Sequence, residues 1–214
     1  MHTGERKHEQ ASALAQEIAR LARGRAREHV VVDVACGKSV LLPALAKLAI
    51  PRLRYLGVDR DARLTALAER NAPAWAAFET APIARAQLPA RPDVLCALHA
   101  CGPATDDAIA RAIDLSARHA LIVPCCHRRP ARDALDGLGF PRQAILRGRF
   151  HDAMTDARRV LRLEAAGFEV VTVEFVSAGA TPHNLLLRAR WVGATARAER
   201  AKMALCAPFF AQGF

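Results

Sequence analysis

Val30-Val31-Val32-Asp33-Val34 sets four β-branched residues around one acid and breaks at once into Ala35-Cys36-Gly37-Lys38-Ser39. β-Branched side chains favour extended backbone, and an apolar run of this kind fits a strand buried on both faces of a parallel sheet. Parallel neighbours need crossover connections, so helices must alternate with the strands. The rest of the chain reads that way. Val40–Ala49 is a helix with Pro43 in its first turn, where proline is tolerated. Tyr55–Asp59 is the second strand, Ala62–Arg70 its helix, and Trp75–Ile83 a weak third strand. Asp93–Leu98, the helix Pro103–Ala117, the strand His119–Pro124 and the helix Thr155–Ala166, ended by Gly167, continue the alternation. Glu169–Val176 and Leu185–Trp191 are the last strands, and residues 177–184 between them are too few for a crossover helix. The last strand is therefore expected to run antiparallel.

A helix over Lys7–Arg23 precedes the first strand, with Ala11, Leu14, Ala15, Ile18 and Leu21 on one face. After Gly193, Ala198, Ala201 and Leu205 keep helical spacing ahead of Phe209-Phe210. The expected organisation is one doubly wound α/β domain over residues 1–193, with an N-terminal helical arm, and a helical or disordered tail over residues 194–214.

In such a sheet ligands bind beyond the carboxyl ends of the strands, where the strand order reverses. The first strand ends in small residues that let backbone approach a ligand, and a helix N-terminus follows. The second ends in Asp59, 22 residues after Gly37, where a carboxylate accepts both hydroxyls of a ribose. A pyrophosphate cradle normally needs G-x-G-x-x-G; here Ala35 and Ser39 stand at two of the potential glycine positions. Asp33 would repel phosphate and suits a cationic ligand, although capping of the turn is its alternative role. The pattern favours S-adenosylmethionine over NAD, held by Asp33, Ala35, Gly37, Lys38, Ser39, Asp59, Arg60 and His99.

Four segments occur in order, each at a strand end: Asp33-Val-Ala-Cys-Gly-Lys-Ser, Leu98-His99-Ala100-Cys101-Gly102 with Ala104-Thr105-Asp106, Pro124-Cys125-Cys126-His127, and Thr181-Pro182-His183-Asn184. Together they resemble a group of class I methyltransferase-domain proteins that includes the eukaryotic tRNA acceptor-stem 2′-O-methyltransferases and bacterial relatives. The resemblance covers most of residues 5–192. It implies a Rossmann-like fold with a seven-stranded, mostly parallel sheet whose last strand is antiparallel. It also implies methyl transfer from S-adenosylmethionine, with tRNA or rRNA as acceptor. Ala35 stands where relatives usually have Gly, and Arg128-Arg129 follows the Cys-Cys-His in place of a further His and Cys.

His99 and Cys101 follow the fourth strand, and Cys125, Cys126 and His127 the fifth, so all five belong on one edge. Methyl transfer needs alignment, and an acceptor hydroxyl needs a base, for which histidine is suited near neutral pH. His127 is the first candidate base, His99 the second, and Cys126 a third catalytic candidate. Adjacent Cys125 and Cys126 point to opposite faces of an extended segment, so no zinc site is expected. Asp106 and Asp107 in the first turn of their helix are read as complements to its dipole, and His183 and Asn184 as turn residues or substrate contacts.

Thirty-one Lys and Arg stand against 21 Asp and Glu, a formal charge of +10. Arg128–Arg149 holds six Arg against two Asp, and Arg188–Lys202 five basic residues against Glu199. A positive surface attracts nucleic acid, so RNA is the expected partner; no obligate protein partner is inferred. No apolar run is long enough to cross a bilayer, Met1–Gln10 is charged, and six Cys lack CxxC spacing, which fits the cytoplasm. The alternatives are a silent module binding S-adenosylmethionine or RNA, a small-molecule methyltransferase, and, least favoured, an NAD-dependent oxidoreductase.

Overall fold

A computed structural model describes the chain apart from residues 1–2, 25, 71, 99, 125–126, 128–134, 136–139, 177–183, 208–209 and 211–214. Its strands are β1 (His29–Val34), β2 (Leu53–Asp59), β3 (Ala76–Thr80), β4 (Val94–Leu98), β5 (His119–Val123), β6 (Phe168–Glu174) and β7 (Leu185–Trp191). They form one sheet in the order β3-β2-β1-β4-β5-β7-β6. β1 to β5 pair in parallel, and β7 runs antiparallel to both β5 and β6. The chain winds outward from β1 to β3, then returns to the other side of β1 to form β4. The carboxyl ends of β1 and β4 therefore flank the switch point, where crossovers on opposite sides leave a crevice.

The period of two along each strand divides the core. Val32, Val34, Leu95, Ala97, Ala120 and Ile122 face one way. There they meet α4 (Pro103–Asp114) and α5 (Ala144–Ala165) through Ala108, Ile109, Ala112 and Leu163. Val31, Val94, Cys96, Leu121 and Val123 face the other way. There they meet α1 (Thr3–Ala22) and α2 (Leu41–Lys47) through Leu14, Ile18, Leu41 and Leu45. Burying each Leu or Ile contributes about 2 kcal/mol, so α1 is fastened by its apolar stripe and not by propensity. α3 (Ala62–Glu69) crosses from β2 to β3.

Three elements differ from their sequence readings. The third strand ends at Thr80, and Pro82 starts a 3₁₀ turn over Ile83–Arg85. α1 begins at Thr3, a turn before Lys7. α5 begins at Ala144 rather than Thr155. Gly148 costs a helix about 1 kcal/mol, and the arginines around it blur the apolar period. Tertiary contacts compensate: Phe150 packs on Phe140 with ring centroids 5.1 Å apart, and Arg147 donates to the carbonyls of Phe140 and Pro141 at 3.3 Å. Beyond β7, α6 (Ala196–Cys206) is capped by Thr195, which accepts from Ala198 N at 3.1 Å. α6 buries Ala198 and Ala201, and its Arg197 pairs with Glu164 of α5 at 3.6 Å. Among the described residues no helix is long and apolar enough to cross a membrane.

Candidate active site

Three residues with φ near +56° lie within five positions after β1: Ala35, Gly37 and Ser39. Their alternation with ordinary residues coils the backbone into a tight turn, closed by Ser39 N donating to Cys36 O at 2.8 Å. Gly37 suits that conformation and has open space where a side chain would stand, with Leu64 the nearest atom at 4.0 Å. Its N–H donates to Asp59 Oδ2 at 2.8 Å, which joins the tips of β1 and β2. Asp59 Oδ1 accepts from Asp61 N at 3.0 Å, and Asp61 caps α3 by accepting from Arg63 N at 2.9 Å. Each Asp59 oxygen accepts one backbone N–H in these bonds, and a carboxylate oxygen has room for a second donor such as a ribose hydroxyl. Lys38 and Arg60 lie exposed beside this pair.

Asp33 lies beneath the turn and not on its open surface. It is 2% exposed and accepts from Tyr55 Oη at 2.6 Å, while Cys96 Sγ lies 3.8 Å from Oδ1. Tyr55 Oη in turn sits 2.7 Å from the buried Ser39 Oγ. Burial pushes the Asp33 carboxyl from its ordinary 3.8 up to about 7, against the lowering effect of Tyr55 and Cys96 and with a further rise from the charge of Asp59. Burial likewise pushes the thiols of Cys36 and Cys96 and the Tyr55 hydroxyl up. Ser39 and Asp33 thus build the floor of the turn through Tyr55, whose part sequence reading missed. Its signal was the register that sets Tyr55 opposite Val31, on the same face as Asp33.

The neighbouring tips of β4 and β5 carry the reactive candidates. His99, Cys125 and Cys126, together with Thr181, Pro182 and His183, lie outside the described residues. Asn184 is placed: its side-chain amide donates to Val176 O at 3.0 Å and closes the loop between β6 and β7. At β4, Gly102 takes φ 56° and ψ −123° before α4, and the buried Thr105 hydroxyl donates to Ala100 O. Cys101 is exposed there.

At β5, His127 turns inward with a side chain only 6% exposed. Its Nε2 lies 2.9 Å from Asp156 Oδ1, and its Nδ1 lies 3.6 Å from Asp152 Oδ1. Asp152 and Asp156 stand one turn apart on α5, on the face that meets the β5 tip. Arg159, buried on the same helix, donates to Asp156 Oδ1 at 3.2 Å, to both Asp106 oxygens at 3.3 and 3.1 Å, and to Gly102 O at 3.4 Å. Arg162 adds a bond to Asp106 Oδ1 at 3.1 Å. Asp106 therefore ties α4 to α5, a part its position in the first helical turn did not reveal. Asp152 was missed because the helix was read as starting at Thr155, and Asp156 and Arg159, inside that reading, then lacked a third polar residue on their face; the i, i+4, i+7 spacing was the available signal. Among the described residues no group of His, Cys, Asp and Glu is arranged to hold a metal ion.

A cavity of about 560 Å³ lies at the opposite end of the sheet, lined by Val30, Leu53, Tyr55, Trp75 and Leu88 among others. It contains none of the residues described above except Tyr55, whose hydroxyl is engaged with Asp33 and Ser39.

Residues 6–132, more than half the chain, match a methyltransferase-domain family. No curated protein matches the chain in sequence. Among solved structures, magnesium protoporphyrin IX methyltransferase from Synechocystis, with bound SAH, is 18% identical. The match covers 84% of each chain with a TM-score of 0.50. A SAM-dependent methyltransferase from Aquifex aeolicus is 15% identical over 83% of this chain and 89% of its own, with a TM-score of 0.51. The chain belongs to the methyltransferase-domain family and has the doubly wound fold of class I S-adenosylmethionine-dependent methyltransferases.

Proposed function

We propose that this chain methylates RNA with S-adenosylmethionine as methyl donor. The observation that carries the cofactor half is the bond from Gly37 N to Asp59 Oδ2, which brings a turn with open space at Gly37 against a strand-terminal carboxylate at the switch point. That pair fits the adenosine end of the cofactor: Asp59 takes the ribose hydroxyls and the turn Ala35–Ser39 lies against the nucleoside. Lys38 and Arg60 border the pair, and His99 follows β4 close by in sequence order. The buried Asp33 fits a supporting role and not a direct grip. When bound, S-adenosylmethionine supplies an electrophilic methyl group on a sulfonium centre.

His127 supplies the base. Its ring stands between two carboxylates, Nε2 2.9 Å from Asp156 Oδ1 and Nδ1 3.6 Å from Asp152 Oδ1, so taking a proton from an acceptor requires the ring to release one of them. A proton taken from an acceptor hydroxyl by the ring leaves an imidazolium near Asp152 and Asp156. His99 and Cys126 are the further candidates on that edge.

The RNA half rests on charge. Ion pairs remove one charge of each sign, so internal pairing leaves the surplus of ten positive charges intact. Part of it lies at the start of α5, where Arg142 and Arg149 are exposed, on the helix that holds His127. Neutralising phosphates there provides affinity that falls steeply with salt.

The test is methyl transfer from labelled S-adenosylmethionine to separated RNA, protein and small-molecule fractions. Label in RNA, with transfer falling as salt rises, is expected. Label confined to small molecules removes RNA as acceptor, and tight cofactor binding without transfer to any fraction makes the chain a binding module. His127→Ala should slow turnover about 100-fold while cofactor affinity by calorimetry stays within about twofold; unchanged turnover removes His127 as base.

A further inference from the structure

Arginines stand at the amino edge of five neighbouring strands. Arg27 precedes β1, Arg52 and Arg54 open β2, Arg91 leads into β4, Arg118 precedes β5, and Arg190 comes near the end of the antiparallel β7. Backbone bonds tie these ends together: His29 N donates to Arg52 O at 2.9 Å, Arg118 N to Pro92 O at 2.9 Å, and Trp191 N to Arg118 O at 3.0 Å. In the order β2-β1-β4-β5-β7, with strands about 4.8 Å apart, the row spans about 20 Å. At these ends and the start of β6, six arginines stand against three acids, Glu28, Asp93 and Glu169. The row is organised from behind. Asp93, 3% exposed, accepts from both terminal nitrogens of Arg27 and lies 3.5 Å from Arg118 Nε. Arg27 and Arg118 are still 50% and 44% exposed. Arg91 is held over the Trp191 ring, 5.0 Å from its centroid. Arg54 and Arg190 are exposed and pair with exposed acids, Glu28 and Glu169. Guanidinium groups fixed in this way lose little freedom on meeting a phosphate, and exposed ion pairs give way to one at small cost.

We propose that this row is a docking surface for the phosphate backbone of the acceptor RNA, separate from the crevice where the methyl group is transferred. This rests on the reading of the chain as an RNA methyltransferase. Strands of five to seven residues put the row about 20 Å from the carboxyl edge. An acceptor that uses both edges is therefore a folded or long RNA, and a short oligonucleotide reaches one of them only. The row supplies affinity without reading sequence, since guanidinium–phosphate contacts carry no information about the bases.

The experiment measures binding of the full chain to fluorescently labelled, unfractionated transfer RNA by anisotropy, without cofactor, across a range of salt. Arg54→Gln, Arg91→Gln and Arg190→Gln together should weaken binding about 10–100-fold near physiological salt and reduce the slope of log affinity against log salt by about 2–3. S-adenosylmethionine affinity by calorimetry should stay within about twofold, because none of the three lies at the cofactor turn. In methyl transfer the triple variant should raise KM for transfer RNA about 10-fold or more with kcat within about twofold, the mark of binding that is equal in the ground and transition states. Removing the same charge elsewhere, through Arg85→Gln, Arg200→Gln and Lys202→Gln, should weaken binding by about threefold or less. An equal loss from both sets overturns the proposal in favour of overall charge. Unchanged RNA affinity and salt slope in the row variant also overturn it, and a lowered urea midpoint in that protein makes the row a complement to the helix C-termini at this edge. A six-nucleotide RNA with the same kcat/KM as transfer RNA overturns the need for both edges. RNA bound and methylated alike by the native protein and the row variant leaves the RNA reading standing without the row, whereas a native protein that binds no RNA overturns both.

Discussion

Replacing Asp33 with Asn tests whether the acid beneath the turn is held uncharged by its surroundings. The carboxyl is 2% exposed, and burial raises it from 3.8 to about 7 despite the bond from Tyr55. Below pH 3.8 it is protonated in the folded and the unfolded chain alike. Between 3.8 and about 7 the unfolded chain releases the proton and the folded chain keeps it, so this group's stabilising contribution is lost as pH rises and levels off above 7. Roughly three pH units at about 1.4 kcal/mol each make a total near 4 kcal/mol, of which about 2.5 kcal/mol falls between pH 5 and pH 8. An asparagine has the same shape, accepts from Tyr55 through its carbonyl oxygen and does not titrate. Its stability relative to the native protein should therefore rise with pH, whatever constant offset the amide introduces. With a urea slope of about 2 kcal/mol per molar, the gap between the two midpoints should widen by about 1 M from pH 5 to pH 8. Other titrating groups affect both proteins equally, so the difference isolates Asp33. Midpoints that run parallel across that range would show that Asp33 keeps one charge state throughout, and the account of the turn's floor would fall.

Two substitutions probe the turn above it. Ala35 carries a Cβ at φ 56°, which costs about 1 kcal/mol, so Ala35→Gly should raise the thermal midpoint by about 2 °C after the entropy that glycine adds to the unfolded chain; a lower midpoint would mean that the methyl group packs usefully against the core. A Cβ at Gly57 would stand 2.6 Å from the Phe78 ring and 3.1 Å from Cys36 Sγ, so Gly57→Ala should cost about 1–3 kcal/mol and weaken S-adenosylmethionine binding by displacing Cys36 beside Gly37. Calorimetry and urea titration read the two effects separately, and an unchanged urea midpoint would show that β3 yields freely.

The sheet was legible because strands buried on both faces must be written in apolar residues, and each ends where polarity returns. Asp33, Gly37 and Asp59 could be found for the same reason: they interrupt apolar runs at strand ends. Their division of labour could not. Gly37 and Asp59 meet because β1 and β2 pair in register, whereas Asp33, on the same face but further from the strand tips, lies beneath the turn and finds Tyr55; that depth depends on the register. The supports of His127 were hidden differently. Asp152 sits in an Arg-rich, glycine-containing stretch ahead of the helix read from Thr155, whereas Asp156 and Arg159 lie within that helix but show no partner in sequence. Only the three-dimensional placement of α5 shows that Asp152 and Asp156 face His127.

A 560 Å³ cavity and the convergent polar groups stand at opposite ends of this sheet, and the choice between them follows from the direction of the helices. α2, α3, α4 and α5 begin at the carboxyl edge, where unpaired N–H groups and the positive ends of the helix dipoles collect. Asp59 is satisfied there by backbone donors from the turn and from the start of α3, and the His127–Asp156–Arg159 set stands at the same edge. The 560 Å³ cavity at the amino ends receives helix C-termini instead. Its walls are largely aliphatic and aromatic, with a 3.8 Å pair between Glu28 and Arg54 among the residues around it. A zwitterionic, hydroxyl-bearing donor needs convergent polar groups to fix its orientation, and methyl transfer needs that orientation more than it needs room. These features support placing the proposed reaction in the crevice at the carboxyl ends, to which the strands deliver their polar ends.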